Sequence, residues 1–276
     1  MSTASQLPTI HRSRMTSLLL DYAELTKLRV TTLIVMTAWC GYFFASRKAG
    51  VPWLSFGLVH ALLGIGPLLH AAFAGVLLTV GGSLYLGAFA NPLTGWLTFL
   101  TSVIYLGAYT PLKRFSPVCT FVGAFPGAMP GVLGWTAARG RLEWGTLILF
   151  GILFLWQFPH FFSIAWLYRE DYAQGGVRML PVVEPQGRST AVRIILYSIL
   201  LLPVSLLPSF SGMSGRAYLG GALILGFGLL WMGARLATLR MPLTSAVSKL
   251  RARQLLQATI VYLPVLFLLM MTDCRL

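Results

Sequence analysis

The sequence predicts an all-α, polytopic membrane helix bundle with nine transmembrane helices. Of its 276 residues, 57% are hydrophobic and 10% are charged, whereas a soluble domain has about 45–50% apolar and about 25% charged residues. The apolar runs are long and continuous, so they lack the alternation of a membrane β-barrel. This composition excludes a soluble globular protein and a disordered chain.

The positions of the apolar runs predict the individual helices. A membrane-spanning helix needs roughly 20 apolar residues, because each residue advances about 1.5 Å across about 30 Å of hydrocarbon. A polar tail at 1–27, with an amphipathic interfacial helix at 17–27, precedes a transmembrane domain at 28–276. The predicted spans are 29–46, 53–67, 70–89, 93–110, 118–137, 144–167, 191–210, 217–237 and 255–272.

The region 51–90 has two interpretations, one long helix or a hairpin that turns at 64–67. Lys and Arg concentrate in cytoplasmic loops, so the distribution of the 21 basic residues decides between them. The hairpin puts 15 of them on the cytoplasmic side and 6 outside, whereas the fused helix gives 8 and 13. We therefore predict a cytoplasmic N-terminus and a shortened second helix, since 53–67 reaches only about 22 Å.

The net charge of +14 fits this membrane topology and does not indicate a nucleic-acid partner. Basic loops orient the chain and contact anionic lipid, and a basic membrane face also suits a phosphate-bearing substrate. Cys40, Cys119 and Cys274 lack metal-ligand spacing, which indicates packing roles.

The end of the sixth predicted helix carries the densest group of polar residues. Gln157 and His160 lie near its end, and Tyr168, Arg169, Glu170, Asp171 and Tyr172 follow. Adjacent carboxylates such as Glu170 and Asp171 can hold Mg²⁺, and the phosphates of a substrate then complete the coordination of the metal. The alternative is a solvated helix end in which Glu170 pairs with Arg169.

Two further groups have a functional and a structural interpretation each. Lys113 and Arg114 follow Tyr109 and Pro111, and they either neutralise a diphosphate leaving group or anchor the cytoplasmic loop. His160 either binds a ligand or moves a proton, or it is a satisfied core side chain. The aromatic residues around it either line a cavity or pack against lipid and neighbouring helices.

Several segments carry a resemblance to a known family. They are ELTKLRV at 24–30, YTPLKR at 109–114, GAFPGAMPGVLGW at 123–135, LFLWQFPHFFSIAWLYREDYAQGGVRMLPVV at 153–183 and LLPVSLLP at 201–208. Together they resemble the protoheme IX farnesyltransferases (heme O synthases) of the UbiA-type intramembrane prenyltransferases. The resemblance covers residues 18–272.

The resemblance implies a nine-helix bundle that transfers a farnesyl group from farnesyl diphosphate to a vinyl group of heme b. Heme b is then a substrate and not a prosthetic group, and Mg²⁺ assists the departure of diphosphate. It also implies a bacterial inner-membrane location, membrane lipid as the surroundings, and heme A synthase or oxidase assembly proteins as partners.

The same resemblance implies roles for individual residues. Asp171, with Glu170, corresponds to the metal-binding acidic motif, and Asp171, His160 and Lys113 are the expected catalytic residues. His160 is expected to contact heme or its reacting vinyl group. The expected substrate-binding residues are Arg114, Arg169, Glu170, Tyr168, Tyr172, Tyr109 and Gln157.

One motif of the family does not occur in this chain. Its first acidic motif, of the form NxxxDxxxD, is expected between the second and third helices, where this chain has Gly66 to His70 and no Asp, Glu, Lys or Arg between Lys48 and Lys113. About 40 residues of the family's usual length are absent there. The alternative function is therefore an inactive relative that binds heme or prenyl lipid without turnover.

A secondary transporter is a weaker third class, because the chain has no internal repeat.

Overall fold

The computed structural model describes residues 42, 72–184, 186–238 and 243–275. The predicted tail at 1–27, the first two predicted helices and the hairpin turn at 64–67 lie outside these residues. Within the described ranges the regular structure is helical, with one isolated β-bridge between Ser214 and Cys274.

Seven long helices form the described part of the bundle, in the order of seven of the nine predicted spans, and the all-α class is confirmed. They are α1 Ala72–Phe89, α2 Pro92–Val103, α3 Cys119–Arg139, α4 Trp144–Leu167, α5 Arg188–Phe210, α6 Arg216–Ala237 and α7 Ala246–Thr272. The short helices Arg169–Gln174 and Leu180–Val183 lie between α4 and α5. By length and composition, α4, α5, α6 and α7 can each cross a membrane.

Two helix boundaries differ most from the sequence-based prediction. The predicted helix at 93–110 is α-helical only to Val103 and continues as the π-helical segment Ile104–Tyr109. There the Thr110 amide and hydroxyl both donate to the carbonyl of Tyr105.

The last helix begins at Ala246 and not at residue 255. Ser245 caps it by accepting from the Ser248 amide at 3.2 Å, which satisfies one of the free amides of the first turn. Its first turns are polar and charged, so hydrophobicity alone predicted a loop there.

Helix α4 is central among the described helices, because it packs against α3, α5 and α7. Further contacts join α5 to α6, α6 to α7, α1 to α2, and α2 to α3. The core contains large buried side chains from several of these helices: Trp135, Ile148, Leu149, Ile152, Phe158, Tyr218, Tyr262 and Phe267. Cys119 is buried and Cys274 is half-buried, both as free thiols, which agrees with packing roles for these two, while Cys40 lies outside the described residues.

Buried hydroxyl groups on α2 find partners inside the protein. Thr98 and Ser102 donate to the carbonyls of Thr94 and Thr98, at 2.8 and 3.0 Å. Asn91 caps α2 and also donates to the carbonyl of Thr136 on α3 at 2.7 Å. Such internal partners are required where the surrounding hydrocarbon cannot hydrogen-bond.

Helices α1 and α2 approach closely at Gly95. A Cβ atom there would lie 2.7 Å from the Ser83 carbonyl oxygen and 2.8 Å from the Cα of Gly87. Both are backbone atoms, so no side-chain rotation relieves the contact, and only glycine fits without a shift of the helices.

We therefore expect Gly95→Ala to lower stability by about 1–3 kcal/mol, the usual cost of overpacking. The matched control is Gly81→Ala, because a Cβ at Gly81 would meet no atom within 4 Å. Thermal unfolding of the purified proteins in detergent measures both. Equal melting temperatures for the two variants would contradict this close approach.

Candidate active site

The site lies at the end of the bundle where α4 finishes. The same end carries the turn after α2, the loop between α4 and α5, and the start of α7. Most of the basic residues in the described ranges lie here: Lys113, Arg114, Arg169, Arg178, Arg188, Arg193, Arg235, Lys249, Arg251 and Arg253.

The turn that carries Lys113 and Arg114, called the basic turn below, is joined directly to the segment that follows the acidic pair Glu170 and Asp171. The backbone amide of Arg178 donates to the carbonyl of Lys113 at 2.9 Å. The Thr120 hydroxyl, in the first turn of α3, lies 3.6 Å from the Met179 sulfur. Segments 65 residues apart in sequence therefore meet, and the backbone of Lys113 lies against the α4–α5 loop.

Two of the predicted tyrosines lie in this same region. The ring of Tyr109 packs against Gly123 of α3 and is 5.2 Å from the ring of Tyr105. Tyr109 and Tyr172 are close enough to interact electrostatically, and each also interacts with Cys119. Burial raises the pKa of Tyr172 above its usual value, with smaller contributions from Cys119 and Tyr168, so Tyr172 is a neutral hydroxyl at physiological pH.

Glu170 and Asp171 differ in whether their carboxylates form an ion pair. Glu170 Oε2 lies 3.5 Å from Lys249 Nζ on α7, and not against Arg169 as the alternative interpretation had it. Asp171 is exposed and forms no ion pair within the described ranges. Its carboxylate is therefore the freer of the two.

Lys249 was missed by the sequence analysis. It lies in the polar stretch that was predicted as a loop, and the signal that could have found it is Ser245, a good N-cap residue that predicts an earlier start of the helix. Because both Glu170 and Lys249 remain substantially exposed, their pairing contributes at most about 1 kcal/mol to stability.

The side chains at this end of the bundle can hold a metal ion only if a bound phosphate ligand supplies further oxygen atoms. Among the described residues, no three His, Cys, Asp or Glu side chains are grouped closely enough to hold a metal by themselves. Mg²⁺, however, is commonly held by one or two carboxylates plus substrate phosphates and water. Asp171, with Glu170 beside it, supplies that kind of set.

His160 lies deeper in the bundle, seven residues before Leu167 at the end of α4, or about 10 Å along the helix axis. Its ring stacks on Trp156, with centroids 4.8 Å apart and planes 19° from parallel. Its Nδ1 atom is 2.9 Å from the Thr259 hydroxyl of α7. His160 is therefore a half-buried side chain held between two helices.

Gln157 is buried between α4 and α3. Its amide nitrogen donates to the carbonyls of Ala124 and Leu153, at 3.2 and 3.1 Å. Its side chain lies directly over Gly127, where a Cβ atom would collide with it. These contacts give Gln157 a role in joining two helices, while its predicted contact with substrate stays a prediction.

Aromatic side chains of α3, α4 and α5 form a continuous cluster beside the site. Phe158 stacks on Tyr197 with centroids 3.7 Å apart, and Phe154 makes an edge contact with Phe158 at 5.3 Å. A groove of about 190 Å³ opens next to them. It is lined by Pro117, Val118, Thr120, Phe121, Phe158, Phe162, Arg193 and Tyr197.

Residues 67–258 match the sequence profile of the UbiA prenyltransferase family. The chain belongs to this family. It is 50% identical to a protoheme IX farnesyltransferase of Koribacter versatilis over 99% of both chains. It is 42% identical to the protoheme IX farnesyltransferase of Solibacter usitatus, over 92% of this chain and 98% of that one.

The fold of this UbiA family member also matches a solved structure. A digeranylgeranylglyceryl phosphate synthase superimposes with a TM-score of 0.72 at 13% identity, over 92% of this chain and 98% of that one. Family membership, together with four helices apolar enough to span a bilayer, identifies the chain as an integral membrane protein.

The UbiA family member is internally shorter than these relatives. The alignment with the Koribacter protein spans 307 positions, but 99% of 276 residues is about 273, so about 34 positions lack a counterpart here. For the Solibacter protein, 294 positions contain 92% of this chain, or about 254 residues, a difference of about 40. The predicted shortening is thus supported, while its position between the second and third helices stays a prediction.

We expect Gln157→Met to lower the stability of this prenyltransferase-family protein by about 1–2 kcal/mol. The thioether keeps the volume but loses the two donated hydrogen bonds, and each is worth about 0.5–1.5 kcal/mol. Gln257→Met, at an exposed position of α7, is the matched control. Thermal unfolding in detergent compares them, and an unchanged melting temperature for Gln157→Met would show that these two bonds do not contribute to stability.

Proposed function

We propose that this chain transfers the farnesyl group of farnesyl diphosphate to a vinyl group of heme b, which yields heme O for heme-copper oxidase maturation. The observation that carries the proposal is the backbone hydrogen bond from Arg178 to Lys113. It joins the basic turn to the loop after α4 that carries Glu170 and Asp171, called the acidic loop below. The near-full-length similarity to protoheme IX farnesyltransferases supports the choice of substrates.

The cationic surface fits the departure of diphosphate. Lys113 and Arg114 contact the phosphate oxygens and stabilise the charge that develops as the allylic C–O bond breaks. Arg169 and the hydroxyls of Tyr168, Tyr172 and Tyr109 add donors that orient the diphosphate. Asp171, with Glu170, would hold Mg²⁺, which supplies further positive charge to the leaving group when it is bound.

The reaction then proceeds in an apolar interior. The diphosphate takes the electron pair of the broken C–O bond, and the allylic cation at C1 of the farnesyl group is attacked by the vinyl π-electrons of heme. A new C–C bond forms, and the resulting cation beside the macrocycle takes up water and releases a proton. The aromatic side chains around α4 exclude water until the C–C bond has formed.

His160 fits the heme end of the site. It lies about 10 Å deeper along α4 than the start of the acidic loop, and it is the half-buried imidazole of the described bundle. Imidazole nitrogen is a common ligand of heme iron. In heme the iron lies at the centre of the macrocycle and the vinyl groups lie at its edge. A heme bound through its iron at His160 would therefore be able to direct a vinyl group toward the diphosphate end of the site.

The membrane orientation follows from charge. The positive-inside rule puts the end with Lys113, Arg178 and Lys249 in the cytoplasm, in a bacterial inner membrane with the N-terminus on the same side. Farnesyl diphosphate would then reach the site from the cytoplasm. Heme A synthase or oxidase assembly proteins are the expected recipients of the product.

The direct test supplies purified protein in lipid nanodiscs with heme b, farnesyl diphosphate and Mg²⁺, and analyses the extracted heme by mass spectrometry. We expect a hydroxyethylfarnesyl heme. Asp171→Asn should lower the rate at least about 100-fold, because a ligand of the diphosphate-bound metal is lost. Glu170→Gln should lower it less, since Lys249 already engages that carboxylate.

Heme binding separates the two candidate functions. Asp171→Asn should bind heme as the unaltered protein does, because Asp171 is at the diphosphate end. Absence of product from folded, heme-binding protein would contradict the enzyme and favour the relative that binds heme without turnover. Equal rates for Asp171→Asn and the unaltered protein would remove Asp171 from the site.

A further inference from the structure

Thr259 is the one partner that the described structure gives to the ring nitrogens of His160. Its hydroxyl is 2.9 Å from Nδ1, and its side chain is fully buried. It lies on α7, 99 residues away in sequence, and it took no part in the sequence-based description of the site. Its hydrogen bonds determine the state in which His160 is held.

The Thr259 hydroxyl has a single proton to donate. That proton is directed to the carbonyl of Leu256, one turn earlier on α7, at 2.6 Å. A threonine hydroxyl carries one donor and two acceptor lone pairs, so toward His160 it can only accept. The Nδ1 atom of His160 must therefore carry the hydrogen.

Neutral imidazole has one protonated and one bare nitrogen. With the hydrogen on Nδ1, Nε2 is the bare nitrogen, and no described residue hydrogen-bonds to it. A bare Nε2 is the form that ligates a metal centre, and a partner on the other nitrogen commonly fixes both the tautomer and the ring orientation.

Trp156 fixes the position of both partners. Its indole nitrogen donates to the backbone carbonyl of Thr259 at 2.8 Å, while its ring stacks on His160. Trp156 and His160 are one turn apart on α4, and both contact the same residue of α7. The Thr259 hydroxyl is thus held at a defined place against the imidazole ring.

We propose that Thr259 is a positioning residue that holds His160 in the Nδ1-protonated tautomer, so that Nε2 binds the iron of the substrate heme. This inference rests on the proposed function for the identity of the ligand. It assigns Thr259 no contact with heme, and its effect on heme is exerted through His160.

The test is a titration of ferric heme b into the purified protein in nanodiscs, followed by the absorbance and electron paramagnetic resonance signals of histidine-ligated iron. Thr259→Val keeps the branched shape but removes the acceptor. It should weaken heme binding about 3- to 10-fold, the equivalent of one hydrogen bond, and reduce the histidine-ligated signal. Thr259→Ser, which keeps the hydroxyl, should restore both.

The same substitution in a His160→Ala background separates positioning from packing. If Thr259 acts through the imidazole, Thr259→Val should leave heme affinity unchanged in that background. An equal loss in both backgrounds would overturn the proposal, because Thr259 would then act through packing alone. An unchanged signal in Thr259→Val with His160 present would overturn it as well.

Product analysis keeps this inference separate from the proposed function. Farnesylated heme from a protein that shows no histidine-ligated iron would uphold the enzyme and overturn the role of Thr259. A histidine-ligated signal that depends on Thr259, without any farnesylated product, would uphold the positioning role and overturn the transferase.

Discussion

The need to satisfy polar groups inside an apolar surrounding governs the arrangement of this bundle. Hydrocarbon offers no hydrogen-bond partners, so a polar side chain inside a membrane protein is stabilised by a partner on its own or a neighbouring helix. Helix α4 carries three such groups in one turn: Trp156, Gln157 and His160. Their partners lie on α7 and α3, which fixes the position and rotation of α4 between those two helices.

The placement of α4 in turn locates both parts of the candidate site. The inner part contains the half-buried His160, oriented by α7, and the exposed part begins where α4 ends at Leu167. The acidic loop that follows is tied to the basic turn after α2 by the backbone of Lys113 and Arg178. One helix therefore sets the separation between a group suited to heme iron and a surface suited to diphosphate.

The exposed part of the candidate site has a large excess of positive charge. This excess matters for the proposed reaction, because the chain is internally shorter than the relatives it matches. Basic residues outnumber acidic ones there, and one of the two adjacent carboxylates is already engaged by Lys249. A diphosphate carries several negative charges, so the cationic side chains can neutralise much of it directly. In the proposed function the metal-binding role therefore falls mainly on Asp171, and the surrounding Lys and Arg residues would neutralise most of the diphosphate charge.

The sequence predicted the helices well where they are apolar and less well where they are not. Hydrophobic length located α4 at its observed bounds, but it started α7 nine residues too late, because Lys249, Arg251 and Arg253 have the composition of a loop. The grouping of Asp171 with Lys113 followed from the predicted membrane topology and from the family resemblance. The backbone hydrogen bond from Arg178 to Lys113 brings the two segments together, while the roles of both side chains stay predictions. The pairing of His160 with Thr259 could not be predicted, since local spacing carries no information about a partner 99 residues away.

The central claim is that α4 aligns both substrates, with heme iron at His160 and diphosphate at Asp171 and Lys113. A cryo-electron microscopy structure of the protein with heme b and a non-hydrolysable farnesyl diphosphate analogue tests it most directly. The account predicts iron bound to Nε2 of His160, with a vinyl group facing the farnesyl C1 atom. Heme bound instead in the aromatic groove beside Arg193, away from His160, would contradict it.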